Sequence, residues 1–393
     1  MRRMCVVTSL LISVLLIVGT TMGADEKPSF DLNWYGHIKL DGAFDQNLTS
    51  HGDFVMWVEP QTVGEDDDQF NMTANDTRFG FEAIGSGYKS VQVGGKVEFD
   101  LYGSGPGNPI GQNEPALQLR HAYFNIQFDN TKLLAGQSWD LISPLNPPTL
   151  NYASMWGCGN LGYLRPQVSL WYNLPSNGQT DVTLAGGFFR NFGSDVTPTF
   201  SLAAGEINED EDDGIDAGIP SIQGLFDLKH ELASGRQMRV GFSVLWGMLK
   251  AETNLGNSQK YESWAVVGHF MMSFLNGSGF AAEAFTGSNL GSYFGGILRN
   301  STIDGLNATG GWVSGWVKAS PKVELAAGFG MDNPDDSDFT SGRSRNTCFF
   351  GNVRYYFVPQ AAVGFELSRW ETKYKGDETA KNLRAQTSFV LNF

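Results

Sequence analysis

Few of the residue types that carry out catalysis are arranged for it in this sequence. The five histidines include no pair at metal-binding spacing, and the chain has no Gly-x-Ser-x-Gly elbow, no phosphate-binding loop and no Cys-x-x-Cys pair. We therefore expect that the protein is not an enzyme and that it needs no cofactor or metal ion. The formal net charge of -15 also argues against nucleic acid as a partner.

Several charged residues could instead attract or repel small ions. They stand out because most of them fall on the polar side of alternating segments: Arg78, Lys96, Glu98, His121, Arg165 and Arg354. The phase around Arg120 and His121 is ambiguous, so we expect only one of these two to share the polar face. What such side chains do depends on the elements that hold them.

Alternation of apolar and polar residues is the dominant pattern of the chain. In Trp34 to Asp45 one phase is wholly apolar and the other carries every charge, as in a strand with two different faces. The same form recurs in Val91–Leu101, Met238–Met248, Glu262–Phe274, Val323–Met331, Phe349–Phe357 and Leu383–Phe393. These segments have roughly the 9 to 11 residues that a tilted transmembrane strand needs.

The connections between these segments alternate between short and long. The short ones have the Gly, Pro and Asn chemistry of tight hairpins, and the long ones are mostly polar. A soluble β-sandwich has no reason to sort its turns by length. We therefore predict an all-β, transmembrane antiparallel β-barrel of about 16 strands, with 14 or 18 left open, short periplasmic turns and long outer loops.

The N-terminus predicts the compartment. Arg2 and Arg3 precede the apolar run Cys5 to Val18, and small residues of a cleavage site follow at Thr21–Ala24. That run is shorter than the roughly 20 residues of a spanning helix. We predict a signal peptide at 1–24, a single barrel domain at 25–393, and a location in a bacterial outer membrane, in contact with lipid and lipopolysaccharide.

The segment from Trp139 to Gln167 is unusually apolar for a loop. The simplest burial for it is inward, so the third outer loop is predicted to fold into the pore; packing against a neighbouring subunit is the alternative. Cys158 lies in this loop, and Cys348 has the inward phase of a strand on the opposite wall. Two alternatives stay open for them: a disulfide that fixes the loop in the oxidising compartment, or two free thiols.

Five segments carry a resemblance to bacterial porins. Asn75–Phe81 resembles the entry to the second strand of many bacterial porins; Arg120–Phe124, Leu134–Trp139 and Gly159–Gln167 resemble DcaP-type porins. The terminal Gln386–Phe393 resembles the C-terminal signal of porins. The resemblance implies a trimer of 16-stranded barrels and passive uptake of small anionic solutes such as dicarboxylates.

A porin of this kind would select solutes by charge at its narrowest section. As a hypothesis, Arg78, Lys96, Arg165 and Arg354 form a basic strip, with His121 and Glu98 beside it. The very acidic outer loops depart from the family pattern. They allow an alternative function, a structural or adhesive surface barrel that binds partners through these loops.

Overall fold

The computed structural model describes residues 30–60, 67–88, 91–103, 115–176, 178–192, 213–232, 236–252, 258–274, 276–300 and 305–393. The predicted signal peptide, residues 1–24, lies outside the described residues. None of the helices in the described ranges is long and apolar enough to cross a membrane. They are a short helix α1 at Asp213–Asp216 and 3₁₀ turns at Gly291–Tyr293 and Asp336–Asp338.

Seventeen β segments form one antiparallel sheet that closes on itself. In chain order they are β1 Phe30–Asp45, β2 Gln69–Thr73, β3 Arg78–Tyr88, β4 Val91–Gly103, β5 Ala116–Phe128, β6 Thr131–Trp139, β7 Leu164–Asn173, β8 Thr180–Phe189, β9 Ser221–Leu232, β10 Arg236–Glu252, β11 Ser258–Ser273, β12 Gly279–Ser288, β13 Asn307–Ser320, β14 Val323–Pro334, β15 Gly342–Val358, β16 Ala361–Lys375 and β17 Ala380–Asn392. Because β2 and β3 pair with successive parts of β1, they are one interrupted strand. The barrel therefore has 16 spanning strands, and the prediction is confirmed.

The barrel closes where the two ends of the chain meet. β1 pairs with β17, with Ile38 opposite Leu391. The last residue extends this ladder, since Gly36 N donates to Phe393 O and Phe393 N donates to Gly36 O, both at 3.0 Å. Closure leaves no unpaired sheet edge, which is the condition for strands to cross a lipid bilayer.

The two faces of the barrel differ in polarity. Large apolar side chains cover the outside, among them Trp34, Phe70, Met72, Phe124, Phe349 and Phe389. The buried inner side carries many polar and charged groups, among them Asp100, Asp227, Glu283, Ser314, Glu366 and Arg384. An apolar exterior around a polar interior is the arrangement of a transmembrane barrel. The predicted outer-membrane location agrees with this arrangement.

Seven short connections join the strands at one end, which we name the turn end, and the longer loops lie at the other, the loop end. Two connections at the loop end are short, because β14, β15, β16 and β17 leave only residues 335–341 and 376–379 between them. Polar strand ends that continue beyond the membrane have the same composition as loops, and composition alone does not separate them.

Candidate pore constriction

The third loop, residues 140–163, lies inside the barrel and follows its inner wall. Leu145 N donates to Glu283 Oε1 on β12 at 2.9 Å, and further along Leu150 N donates to Glu366 Oε2 on β16 at 2.7 Å. The predicted inward fold of this loop is thereby confirmed. The alternative, packing against a neighbouring subunit, does not describe the position of the loop.

The middle of the third loop contacts the wall near the strands that close the barrel. Lys39 Nζ on β1 donates to Leu150 O at 3.1 Å, and Tyr152 OH donates to Asp100 Oδ2 on β4 at 3.0 Å. The loop therefore contacts strands β12, β16, β1 and β4 along the inner wall of the barrel.

Two further loops also fold inward at the loop end. Val55 to Val58 of the first loop and Tyr293 to Leu298 of the sixth loop are buried against residues of the third loop. Asn346 Nδ2 on β15 joins the first and third loops, since it donates to Met56 O at 2.6 Å and to Gly157 O at 2.8 Å. The sequence analysis did not predict these inward folds, although Val55–Val58 is an apolar run within a polar loop.

The predicted strip residues Arg78, Lys96 and Glu98 come together on the wall formed by β3 and β4. Arg78 Nε lies 3.6 Å from Glu98 Oε1, and Lys96 Nζ lies 3.6 Å from Glu98 Oε2. Tyr35 OH donates to the same carboxylate at 2.8 Å. The side chains of Arg78 and Lys96 remain 25% and 19% exposed, whereas Glu98 is 5% exposed. The cations therefore extend into the lumen and the carboxylate lies behind them.

Both Arg120 and His121 face the interior, so the expectation that only one does is wrong. The ladder between β4 and β5 shifts at this point: Glu98 lies opposite His121, but Phe99 lies opposite Leu119, which leaves Arg120 as an inserted residue. Such a β-bulge places two successive side chains on the same face. Arg120 Nε is 2.8 Å from Glu98 Oε1, so the residue shares the site with the predicted strip.

Arg354 belongs to the opposite wall, on β15. Its Nη1 lies 3.0 Å from Glu324 Oε1, and its Nη2 donates to Pro148 O at 2.8 Å. The side chain is 20% exposed. Arg354 therefore lies at the rim of the third loop with its charge on the lumen side, and its role in the strip stays a prediction.

Arg165 occupies a different place from the other predicted strip residues. Its side chain is fully buried, with Nε 3.0 Å from Asp140 Oδ2 and its guanidinium 3.8 Å from the centre of the Tyr293 ring. It also donates to the carbonyl of Ser292 in the sixth loop. Arg165 thus joins the base of the third loop to the sixth loop. Its position does not support the predicted role in the strip, because the packing of the sixth loop covers it.

Arg239 is a lumen cation that the sequence analysis did not select. It lies on the polar face of β10, 2.8 Å from Asp227 Oδ1, and is 17% exposed. Its Nη1 donates to Pro144 O at 3.5 Å. The alternation of β10 in the sequence already places Arg239 on the polar face, and this position could have identified Arg239 as a lumen residue. Arg239 and Arg354 therefore hold the two ends of the Pro144–Pro148 segment.

Cys158 and Cys348 are buried, unbonded neighbours. Cys158 Sγ donates to the carbonyl of Gly330 at 3.4 Å, and Gly330 is the ladder partner of Cys348. Burial raises the pKa of the Cys158 thiol well above its usual range, so the thiol is held protonated. The free-thiol alternative agrees with this structure, and the disulfide stays a prediction.

No family model matches this chain, and no curated protein does. Solved structures do. The chain is similar to the outer membrane channel DcaP of Acinetobacter baumannii, with a TM-score of 0.72 at 20% identity over 93% of this chain and 98% of that one. An anion-selective porin from Comamonas acidovorans matches with a TM-score of 0.57 at 9% identity, over 93% of this chain and all 100% of that one.

OmpT of Vibrio cholerae, solved in a trimer form, matches with a TM-score of 0.53 at 12% identity, over 93% of this chain and 100% of that one. At such identities the likeness concerns the fold, and the resemblance to DcaP-type porins is confirmed at that level. A closed barrel of 16 spanning strands, an apolar exterior and a third loop inside the lumen lead to one conclusion: the chain has the fold of the outer-membrane porins.

Proposed function

We propose that this protein is an outer-membrane channel for passive diffusion of small hydrophilic solutes, with a preference for small anions such as dicarboxylates. The observation that carries the preference is the unequal exposure of the lumen charges. Arg78, Lys96, Arg354 and Arg239 are 25%, 19%, 20% and 17% exposed, whereas their partners Glu98, Glu324 and Asp227 are 5%, 16% and 6% exposed.

This difference matters because these four cations are paired with an equal number of carboxylates once Glu82 is included. A solute in the lumen meets the protruding ends of the cations first, and the carboxylates behind them act mainly on the cations. Charged groups that line a constriction set the ion preference of a pore. Glu82, 47% exposed and 3.4 Å from Lys96 Nζ, is the exception and reduces the preference locally.

The test is the reversal potential of the reconstituted protein in a salt gradient across a planar bilayer. Arg354→Gln and Arg78→Gln should shift it toward cation preference, and the shift should be larger at low salt because screening is weaker. Arg369→Gln is the matched control, since Arg369 is 61% exposed on the outside of β16. An equal reversal potential for all variants would contradict the anion preference. The absence of any conductance would favour the alternative, a structural or adhesive barrel.

We propose a role for the outer rim of β15, β16 and β17 in contact with lipopolysaccharide. Arg345 lies opposite Lys373, and Lys381 lies opposite Glu371, all on the outward phase at the loop end. Apolar side chains such as Phe349 follow directly toward the turn end. A basic patch just beyond the apolar band, at the loop end, can contact the phosphates of outer-leaflet lipid. Reversing both Arg345 and Lys373 to Glu should reduce the lipopolysaccharide that copurifies, and an unchanged amount would contradict this role.

A homotrimer is proposed as the assembly. The trimer form of OmpT from Vibrio cholerae, which has the same fold, supports it. Light scattering of the detergent-solubilised protein, with correction for bound detergent, gives the protein mass directly. A mass of one chain would contradict the proposal.

A further inference from the structure

A cavity of about 300 Å³ opens at the loop end, above the charged wall of β3 and β4. We name it the aromatic vestibule after the six rings that line it: Phe54, Tyr102, Tyr152, Trp156, Tyr163 and Phe294. The rings come from the first, third and sixth loops and from the end of β4. Its volume lies at the lower end of the range of small-molecule sites, which is suited to one ring rather than to a chain of rings.

The rings support one another and form a continuous surface. The Tyr102 and Tyr152 ring centres are 4.0 Å apart, and the Trp156 and Phe294 rings are stacked at 4.6 Å. The Tyr152 and Trp156 centres lie 5.9 Å apart with nearly perpendicular planes, which joins the two pairs. Because the rings are held by one another, a molecule that enters meets a preformed aromatic wall.

Polar atoms of the lining side chains lack partners among the described residues. The Tyr102 hydroxyl, Gln118 Oε1 and His51 Nδ1 are buried and make no hydrogen bond there. A buried polar group without a partner is energetically unfavourable. A ligand that offers hydroxyl groups, which both donate and accept, would remove part of this cost after small rotations of these side chains.

Among the residues that the structure describes, the lining contains no formally charged side chain. Burial lowers the pKa of His51 below its ordinary value, so this imidazole is neutral at pH 7. Arg120 approaches Tyr152 OH at 3.2 Å, but it is paired with Asp100 at 2.7 Å. Transfer of an unpaired ion into such surroundings is costly, which disfavours both anions and metal cations.

We infer that the aromatic vestibule is a binding site for a single neutral pyranose ring. A pyranose presents C–H groups on its flat faces, which pack against aromatic rings, and hydroxyl groups on its edge, which match the unpartnered polar atoms. The site would retain such a solute at the loop end of the channel before it passes the charged strip. The route of entry rests on the proposed channel function, but binding itself does not.

The experiment is saturation-transfer difference NMR on the full-length protein in detergent, with methyl α-D-glucopyranoside as the probe. We expect saturation of its ring C–H protons and much weaker saturation of sorbitol, which has the hydroxyl groups but no ring. Tyr102→Phe should lower the affinity by about three- to tenfold, the effect of one hydrogen bond. Phe54→Leu, which keeps apolar volume and removes a ring, should lower it as well.

Tyr172→Phe on the outer face of β7 is the matched control and should bind like the parent. Heat-modifiable migration in gels reports whether each variant is folded. Equal signals from sorbitol and the glucoside, or unchanged affinity in folded Tyr102→Phe, would overturn the inference. Preferential binding of tetramethylammonium or benzoate would overturn it too, in favour of an ion site. Because conductance is measured separately, a channel without sugar binding and sugar binding without a channel are distinguishable outcomes.

Discussion

Glu366 should control the position of the third loop, and its removal should release that loop. Its two side-chain oxygens accept hydrogen bonds from Thr149 Oγ1 and Leu150 N, both at 2.7 Å, and from Asn352 Nδ2 at 2.9 Å. The residue is almost completely buried, so water cannot readily replace it. Glu366→Ala leaves these donors without an acceptor at the point where the loop crosses β16.

The magnitude follows from counting those donors. The Thr149 hydroxyl can rotate to another partner, which leaves Leu150 N–H and one N–H of Asn352 unsatisfied. At about 1 to 3 kcal/mol for each, the anchored state loses about 2 to 6 kcal/mol. The population of loops detached from the wall should therefore rise by roughly thirtyfold to twenty-thousandfold. Glu366→Gln keeps one acceptor oxygen and should give a smaller effect.

Single-channel recording in planar bilayers is the assay. We expect larger mean conductance and more open-channel noise in Glu366→Ala, an intermediate result in Glu366→Gln, and no change in Glu371→Ala. Glu371 is the matched control because it lies on the same strand but outside the barrel, where its partner is Arg369. A folded Glu366→Ala channel with the conductance and noise of the parent would refute the reasoning.

Three further predictions follow from buried or terminal groups. Arg120→Met removes the cation that pairs with buried Asp100 and the nearest of the three cations at buried Glu98, and it should lower the free energy of unfolding in urea by about 3 to 5 kcal/mol. Arg369→Met should have little effect, and equal effects would contradict the buried network. Cys158 and Cys348 should react with a thiol-reactive polyethylene glycol only after unfolding and without a reductant, whereas a need for reduction would show a disulfide. Phe393→Ala should reduce insertion in cells but hardly change the unfolding midpoint of refolded protein, since the ring is 61% exposed and the hydrogen bonds at this terminus are those of the backbone. A large shift of the unfolding midpoint in Phe393→Ala would contradict this last prediction.

The fold follows closely from local patterns. A strand buried on one side and lipid-facing on the other repeats every two residues, so segments such as Trp34–Asp45 and Leu383–Phe393 are legible without a structure. The alternation of short and long connections then predicts about 16 strands and leaves 14 or 18 open. The ends of the strands were harder to predict than their centres, because strand ends beyond the membrane are polar and resemble loops in composition.

The inward direction of the site residues could be predicted only where the alternation of the strand is unbroken. Lys96, Glu98 and Arg354 lie on regular strands, and their inward direction was predicted. The bulge at Arg120 was not predicted. A prediction from alternation assumes that each strand contributes one residue at every step of the ladder, and a bulge breaks this rule.

The order of the amino acids predicts the barrel, its polar interior and the inward fold of an apolar third loop. It does not predict which charged side chains remain accessible. Arg165 and Arg354 are both cations near this loop, yet the sixth loop covers the first and leaves the second at the rim. Exposure depends on contacts between segments that are far apart in the chain, and no local pattern records such contacts.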